Sequence, residues 1–157
     1  MVAAYPYSFP VDALVQAYKY GGNLTLGPLL AADLEREIDE RVDAIIPTPL
    51  SQSRLKARGF NQAQELARYV GLRGNVPVLS DACRKVIDGS PQASLPFSER
   101  ARNIRGAFVC DADLRSMHVA IVDDVMTTGA TVNELARNLK RAGAARVSVW
   151  VVARTLR

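Results

Sequence analysis

Apolar residues recur along this chain in two rhythms, and their alternation predicts its architecture. Spacings of three and four place Val11, Leu14, Val15 and Tyr18 on one face of a helix that opens at Pro10, a residue tolerated in a first helical turn. Gly21-Gly22 closes it, as glycine does beyond a helix end. Leu26, Leu29, Leu30, Leu34, Ile38 and Val42 predict a second helix, whose other face carries Asp33, Glu35, Glu37, Asp39 and Glu40 as a solvated acidic surface. A third begins at Asn61, with Ala63, Leu66, Ala67 and Val70 as its stripe and Gly71 or Gly74 as its stop. Val132, Leu135, Ala136 and Leu139 mark a fourth, with Lys140 and Arg141 in its last turn.

Between the helices lie short branched runs that predict strands: Val42 to Pro47, Val76 to Leu79, Cys83 to Ile87, Ala107 to Cys110, Val119 to Asp124 and Arg146 to Ala153. The last is almost wholly apolar, as in strands buried on both faces of a parallel sheet, and Trp150 within it is expected in the core. Strands alternating with helices predict a single α/β domain with a mainly parallel sheet. Two stretches lack either rhythm. Residues 48–60 begin as a loop in which Arg54, Lys56 and Arg58 alternate before Gly59. Asp88 to Phe97 holds one glycine, two prolines and two serines, and a long irregular segment of this kind is expected to be a lid or binding loop. Ser98 is placed to cap a short helix through Arg102 or Asn103, with Arg100, Arg102 and Arg105 close together.

Composition narrows the class. With 48% hydrophobic and 23% charged residues in 157, the chain is globular rather than disordered or fibrous. No apolar run is long enough for a bilayer and no basic-then-apolar leader opens the chain, so a soluble, cytoplasmic protein is expected. Cys83 and Cys110 match neither zinc spacing nor a disulfide framework, and buried free thiols are the expectation. His118, the sole histidine, has no ligand spacing around it and is expected to be structural. Residues 1–43 carry 3 basic and 7 acidic side chains, whereas residues 44–110 carry 10 basic and 4 acidic. That basic middle favours an anionic partner.

The chemistry concentrates in V-A-I-V-D-D-V-M-T-T-G-A-T at 119–131. Ligands of parallel sheets gather at the carboxyl ends of strands, where Asp123 and Asp124 fall. Ionised carboxylates only accept hydrogen bonds, so the pair suits a ligand with hydroxyl donors or a hydrated divalent cation. Thr127, Thr128, Gly129, Ala130 and Thr131 then offer hydroxyls and backbone N–H groups at a helix N-terminus, which suits a phosphate. Carboxylates beside a phosphate nest describe a phosphorylated sugar. A Walker B strand would need a G-x-x-x-x-G-K-[ST] loop, which the chain lacks, and a receiver-type acidic pocket needs no phosphate nest.

This stretch resembles the phosphoribosyl pyrophosphate (PRPP) motif of type I phosphoribosyltransferases. K-Y-G-G-N-L at 19–24, I-I-P-T-P-L at 45–50, R-L-K-A-R-G-F-N-Q at 54–62 and R-A-R-N-I-R-G-A-F at 100–108 are similar to the ComF/GntX (amidophosphoribosyltransferase-like) branch. The resemblance implies a type I phosphoribosyltransferase-like fold: a twisted parallel sheet flanked by helices over residues 42–157, with a small helical hood over residues 1–41. It implies that Asp123 and Asp124 hold the ribose hydroxyls and that residues 127–131 wrap the 5-phosphate. The turn Thr48, Pro49, Leu50, Ser51 through Arg54 would be the pyrophosphate loop, and residues 88–105 the closing loop. Magnesium would arrive on the pyrophosphate near Asp123 and Asp124, with no protein cage. Arg54, Lys56, Arg58 and Arg100 would stabilise the leaving group. Many members carry an N-terminal four-cysteine zinc module with no counterpart in these residues.

Three functions fit. One is phosphoribosyl transfer from PRPP to an unidentified acceptor. Another is a competence or DNA-uptake protein binding single-stranded DNA through the basic middle, although Phe60, Tyr69, Phe97 and Phe108 are scattered rather than set as a stacking platform. The third is a PRPP-sensing regulator without turnover. A homo-oligomer, or a partner in the competence machinery, is also compatible with the resemblance.

Overall fold

The computed structural model describes residues 1–21, 23–87 and 104–156. Val2–Pro6 (β1) is followed by helices Val11–Tyr20 (α1) and Leu26–Arg36 (α2), then by Ala44–Pro47 (β2). Helices Gln52–Arg58 (α3) and Gln62–Gly74 (α4) follow, and then strands Cys83–Lys85 (β3) and Phe108–Cys110 (β4). His118–Met126 (β5), Ala130–Arg141 (α5) and Arg146–Arg154 (β6) complete the chain. Four strands form a parallel sheet in the order β1-β6-β5-β2, and β3 pairs antiparallel with β4. None of the described helices is long and apolar enough to cross a membrane.

The period of two along the strands divides the core into two layers. Ile45, Ala120, Val122, Trp150 and Val152 face the layer of α1, α2 and α4, meeting Tyr18, Leu34, Leu66 and Val70. Ala44, Ile46, Val119 and Ile121 face the other, with Val132, Leu135 and Leu139 of α5 and Phe108 of β4. Of the helices that follow β2, α4 therefore covers one face, and α5, after β5, covers the other. Adjacent strands whose helices leave to opposite sides form a crevice at their carboxyl ends, the usual ligand position in open α/β sheets.

Several local expectations need correction. Val2–Pro6, for which no strand was expected, is one, drawn into parallel register with β6 (Val2 opposite Trp150, Tyr5 opposite Ala153). The second helix ends at Arg36, short of Val42. Val76 to Leu79 forms only an isolated bridge, Val78 with Ile45. Residues 52–58, expected as loop, are a seven-residue helix with no buried residue, stopped by Gly59 at φ +80°. Cys83 and Cys110 are not free thiols. The β3–β4 register sets them directly opposite one another with Cα atoms 4.1 Å apart, and they form a disulfide. The predicted lid at 88–97, the helix from Ser98, and Arg100 and Arg102 lie outside the described residues.

Candidate active site at the carboxyl end of the central strand

β5 has different neighbours on its two sides at the acidic pair. Its pairing with β2 ends at Pro47 opposite Val122, followed by one hydrogen bond from Thr48 N–H to the Val122 carbonyl (2.9 Å). Its pairing with β6 continues to Met126 opposite Arg154. Asp123 and Asp124 thus stand where the ladder to β2 has stopped, beside the turn that begins at Thr48.

The two carboxylates are held differently. Asp123 Oδ1 accepts the Asp124 N–H at 2.9 Å. Burial pushes the Asp123 carboxyl well above the ordinary aspartate value and the neighbouring Asp124 charge adds to it; the Asp124 N–H, Lys19 and the Thr48 hydroxyl pull the other way without cancelling it. Asp124 is 8% exposed, and its Oδ1 lies 3.0 Å from Lys19 Nζ. This lysine comes from the last turn of α1 and was not singled out from the sequence. Its signal was its place at the head of the family-like stretch K-Y-G-G-N-L, to which no site role was assigned.

Beyond β5 the phosphate-nest candidates turn into α5. The helix begins at Ala130, two residues earlier than the apolar rhythm suggested, because Gly129 at φ +75° occupies its N-cap and the Thr128 hydroxyl accepts the Ala130 N–H at 3.1 Å. Thr127 is exposed, and Thr128, Gly129 and Thr131 are half-buried. Thr127 through Thr131 therefore lie at the positive end of a twelve-residue helix.

Thr48, Pro49, Leu50 and Ser51 leave β2 beside this pair. Asn61 fixes the turn: its Oδ1 caps α4 by accepting the Ala63 N–H (3.0 Å), and its Nδ2 donates to the Thr48 carbonyl (3.1 Å). A groove of about 690 Å³ adjoins the turn, lined by Pro49, Leu50, Asn61 and, from β3, Arg84. The alternating basic trio does not act as a unit. Arg54 and Lys56 project from the exposed helix α3, whereas Arg58 is committed to its neighbours. Its guanidinium lies over the Tyr20 ring (4.9 Å to the centroid), donates to the Tyr20 hydroxyl at 3.0 Å and donates to Gln62 Oε1 at 3.0 Å. Arg100 is outside the described residues. At the stem of the undescribed segment, Glu134 of α5 accepts the Gly106 N–H at 2.9 Å, which with Arg137 holds its carboxyl below the ordinary glutamate value despite burial.

The opposite end of the sheet carries a second set of polar groups. Glu40 accepts from Trp150 Nε1 and from Arg146 Nη2, both at 3.0 Å, and His118 Nε2 lies 2.9 Å from the Ser148 hydroxyl. Trp150 is 2% exposed, in the core as expected, and His118 belongs to this structural cluster. Glu40 itself is not on a solvated helix face. Among the described residues no group of three His, Cys, Asp or Glu side chains gathers as a metal cage.

Residues 55–156 match the phosphoribosyl transferase domain model. The chain belongs to that family. Within it, the ComF branch holds similar proteins. Competence protein F of Haemophilus influenzae is 32% identical over 98% of this chain and 72% of its own length. The DNA utilization protein YhgH of Salmonella typhimurium is 34% identical over 99% of this chain and 72% of its own. Among solved structures, the glutamine PRPP amidotransferase of B. subtilis superposes with a TM-score of 0.60 at 17% identity. That match covers 85% of this chain but 30% of the amidotransferase, and it supports the type I phosphoribosyltransferase fold.

Proposed function

We propose that this phosphoribosyltransferase-family protein binds PRPP across the crevice between β5 and the Thr48–Ser51 turn. There it transfers the phosphoribosyl group to a nucleophilic acceptor, releasing pyrophosphate. The observation that carries the reading is the acidic pair itself. A half-buried carboxylate whose proton affinity stays raised despite the Asp124 N–H and the Thr48 hydroxyl is short of donors from its own protein, and the hydroxyls of a ribose are donors of the right kind. The five residues from Thr127 to Thr131 would take the 5-phosphate at the N-terminus of α5, and Thr48 to Ser51 with Arg54 the diphosphate.

In the reaction, the bond from the anomeric carbon to the diphosphate oxygen breaks with its electron pair leaving on pyrophosphate. The acceptor's lone pair forms the new bond to that carbon. Positive charge grows on the sugar near Asp123 and Asp124, and negative charge on the leaving group. Arg54 and Lys56 from α3, with Arg100, would stabilise the latter. Arg58, held by Tyr20 and Gln62, is better suited to fixing α3 against α1. The donor set fits magnesium delivered on the ligand, because two carboxylates and several hydroxyls leave a cation that favours water and phosphate oxygens most of its own shell. When bound, magnesium neutralises charge on the diphosphate.

A second reading draws on the names of the relatives: single strands of DNA would lie along the exposed Arg54–Lys56 face, in a competence role. Calorimetric titration of PRPP with magnesium into wild type and the Asp123→Asn/Asp124→Asn double variant separates these. Binding by wild type and none by the variant is expected. No binding by wild type sinks the PRPP reading, as a sensor or as an enzyme. Pyrophosphate release across a panel of bases and amines then distinguishes transferase from sensor. Single-strand affinity that falls steeply with salt would support the DNA reading.

A further inference from the structure

Each acid of the pair has one oxygen fixed from within the protein. Asp123 Oδ1 takes the Asp124 N–H, and Asp124 Oδ1 takes the Lys19 ammonium. Apart from the Thr48 hydroxyl beside Asp123, no other donor among the described residues engages the pair, which leaves acceptors on both acids for two neighbouring hydroxyls. The first anchor is local backbone; the second crosses from the N-terminal segment to the central strand, 105 positions along the chain by residue number.

We infer that Lys19 is a positioning residue of the sugar site: it orients Asp124 and offsets one charge of the acidic pair, so that the N-terminal segment takes part in ribose recognition. This rests on the PRPP reading of the same site and adds to it a residue in a different element. Four features place the lysine there. Its side chain is 17% exposed, so the contact with Asp124 is largely shielded from water and from screening by salt. Its neighbours pin the same helical turn on either side. Tyr18, fully buried, donates to the Gln62 carbonyl at 3.2 Å and meets Phe60 edge-on, while the Tyr20 hydroxyl receives Arg58. The helix then ends at Gly21, where a Cβ would come within 2.7 Å of the Ala17 carbonyl oxygen, so the stop that sets the lysine's height depends on glycine. Lys19 also lies at the carbonyl end of α1, where the helix dipole favours a cation.

A ligand with phosphates brings more negative charge to two adjacent carboxylates. Without a cation beside them the pair would meet it poorly oriented and unbalanced, so loss of Lys19 should weaken sugar binding rather than free a blocked site. The charge would act on the part of the ligand that Asp124 touches and not on the phosphate at the start of α5.

Calorimetry with two probes tests this, ribose 5-phosphate and inorganic phosphate, on wild type, Lys19→Ala and Lys19→Arg. Lys19→Ala is expected to weaken ribose 5-phosphate about tenfold and leave inorganic phosphate within twofold. Lys19→Arg should recover most of the loss, and Lys19→Ala added to Asp124→Asn should cost nothing further. Equal weakening of both probes would mean a merely structural lysine and overturn the inference. So would unchanged or tighter ribose 5-phosphate binding by Lys19→Ala. A wild type that binds ribose 5-phosphate no better than inorganic phosphate removes the PRPP reading of the site, and the inference with it. That outcome is recognised without any variant.

Discussion

The two ends of the central strands both hold shielded carboxylates, and the protein treats them oppositely. At the amino end Glu40 would be pushed up by burial, yet hydrogen bonds from Ser148 and Trp150 and the charge of Arg146 hold it below its ordinary value. At the carboxyl end Asp123 has an aspartate beside it and too few donors, and it is pushed up. A carboxylate satisfied by its own protein serves the fold. One left short of donors points to something that comes from outside, which is why the acidic pair and not the Glu40 cluster is taken as the site.

The sharpest break of this contrast is substitution at the pair. Asp124→Asn should reduce PRPP affinity by a hundredfold or more in calorimetry while leaving the thermal midpoint within a few degrees of wild type. At the other end, Glu40→Ala should reverse the pattern: it leaves the Trp150 N–H unpaired and costs about 1–3 kcal/mol in denaturant titrations, with PRPP affinity within about twofold. The pH dependence separates the ends by sign. The folded protein keeps a proton on Asp123 to higher pH than the unfolded chain, so stability falls as pH rises from the ordinary aspartate value through the raised one. Asp123→Asn should flatten that slope, and PRPP affinity should rise across the same window because hydroxyl donors prefer the ionised acid. Glu40 contributes in the other sense: its stabilisation is present above the ordinary glutamate value and is lost as pH falls through the lowered one. The smallest effect is expected from Asn61→Ala, which loses a helix cap worth about 1 kcal/mol and loosens the Thr48 turn. Denaturant midpoints would register the first loss, and a severalfold weaker PRPP titration the second.

Much of this was legible in the sequence because it is local. The apolar run into Asp123-Asp124 and the small residues after it define strand, site and helix start within thirteen consecutive positions, and the apolar rhythm after Asn61 set the start of α4. What escaped was set by distant partners. Val2–Pro6, half-buried along most of its length and ending in proline, becomes a strand because β6 supplies an edge. The run S-Q-S-R-L-K-A-R has no apolar stripe to announce α3, whose residues are all unburied. Cys83 and Cys110 meet only through the register of two three-residue strands 27 positions apart. The ammonium of Lys19 reaches Asp124 only once α1 has docked on the sheet, and no spacing in the chain encodes that contact.

The unequal pairing of β5 has a mechanical consequence. From Asp123 onward the strand's backbone pairs, among the described residues, with β6 alone, and on the other side the last backbone tie to β2's chain is the Thr48–Val122 hydrogen bond. The acids stand like a beam fixed along one edge, with the Thr48 turn hinged opposite them. A sugar diphosphate held by both would act as the next rung of a ladder that the backbone leaves unfinished.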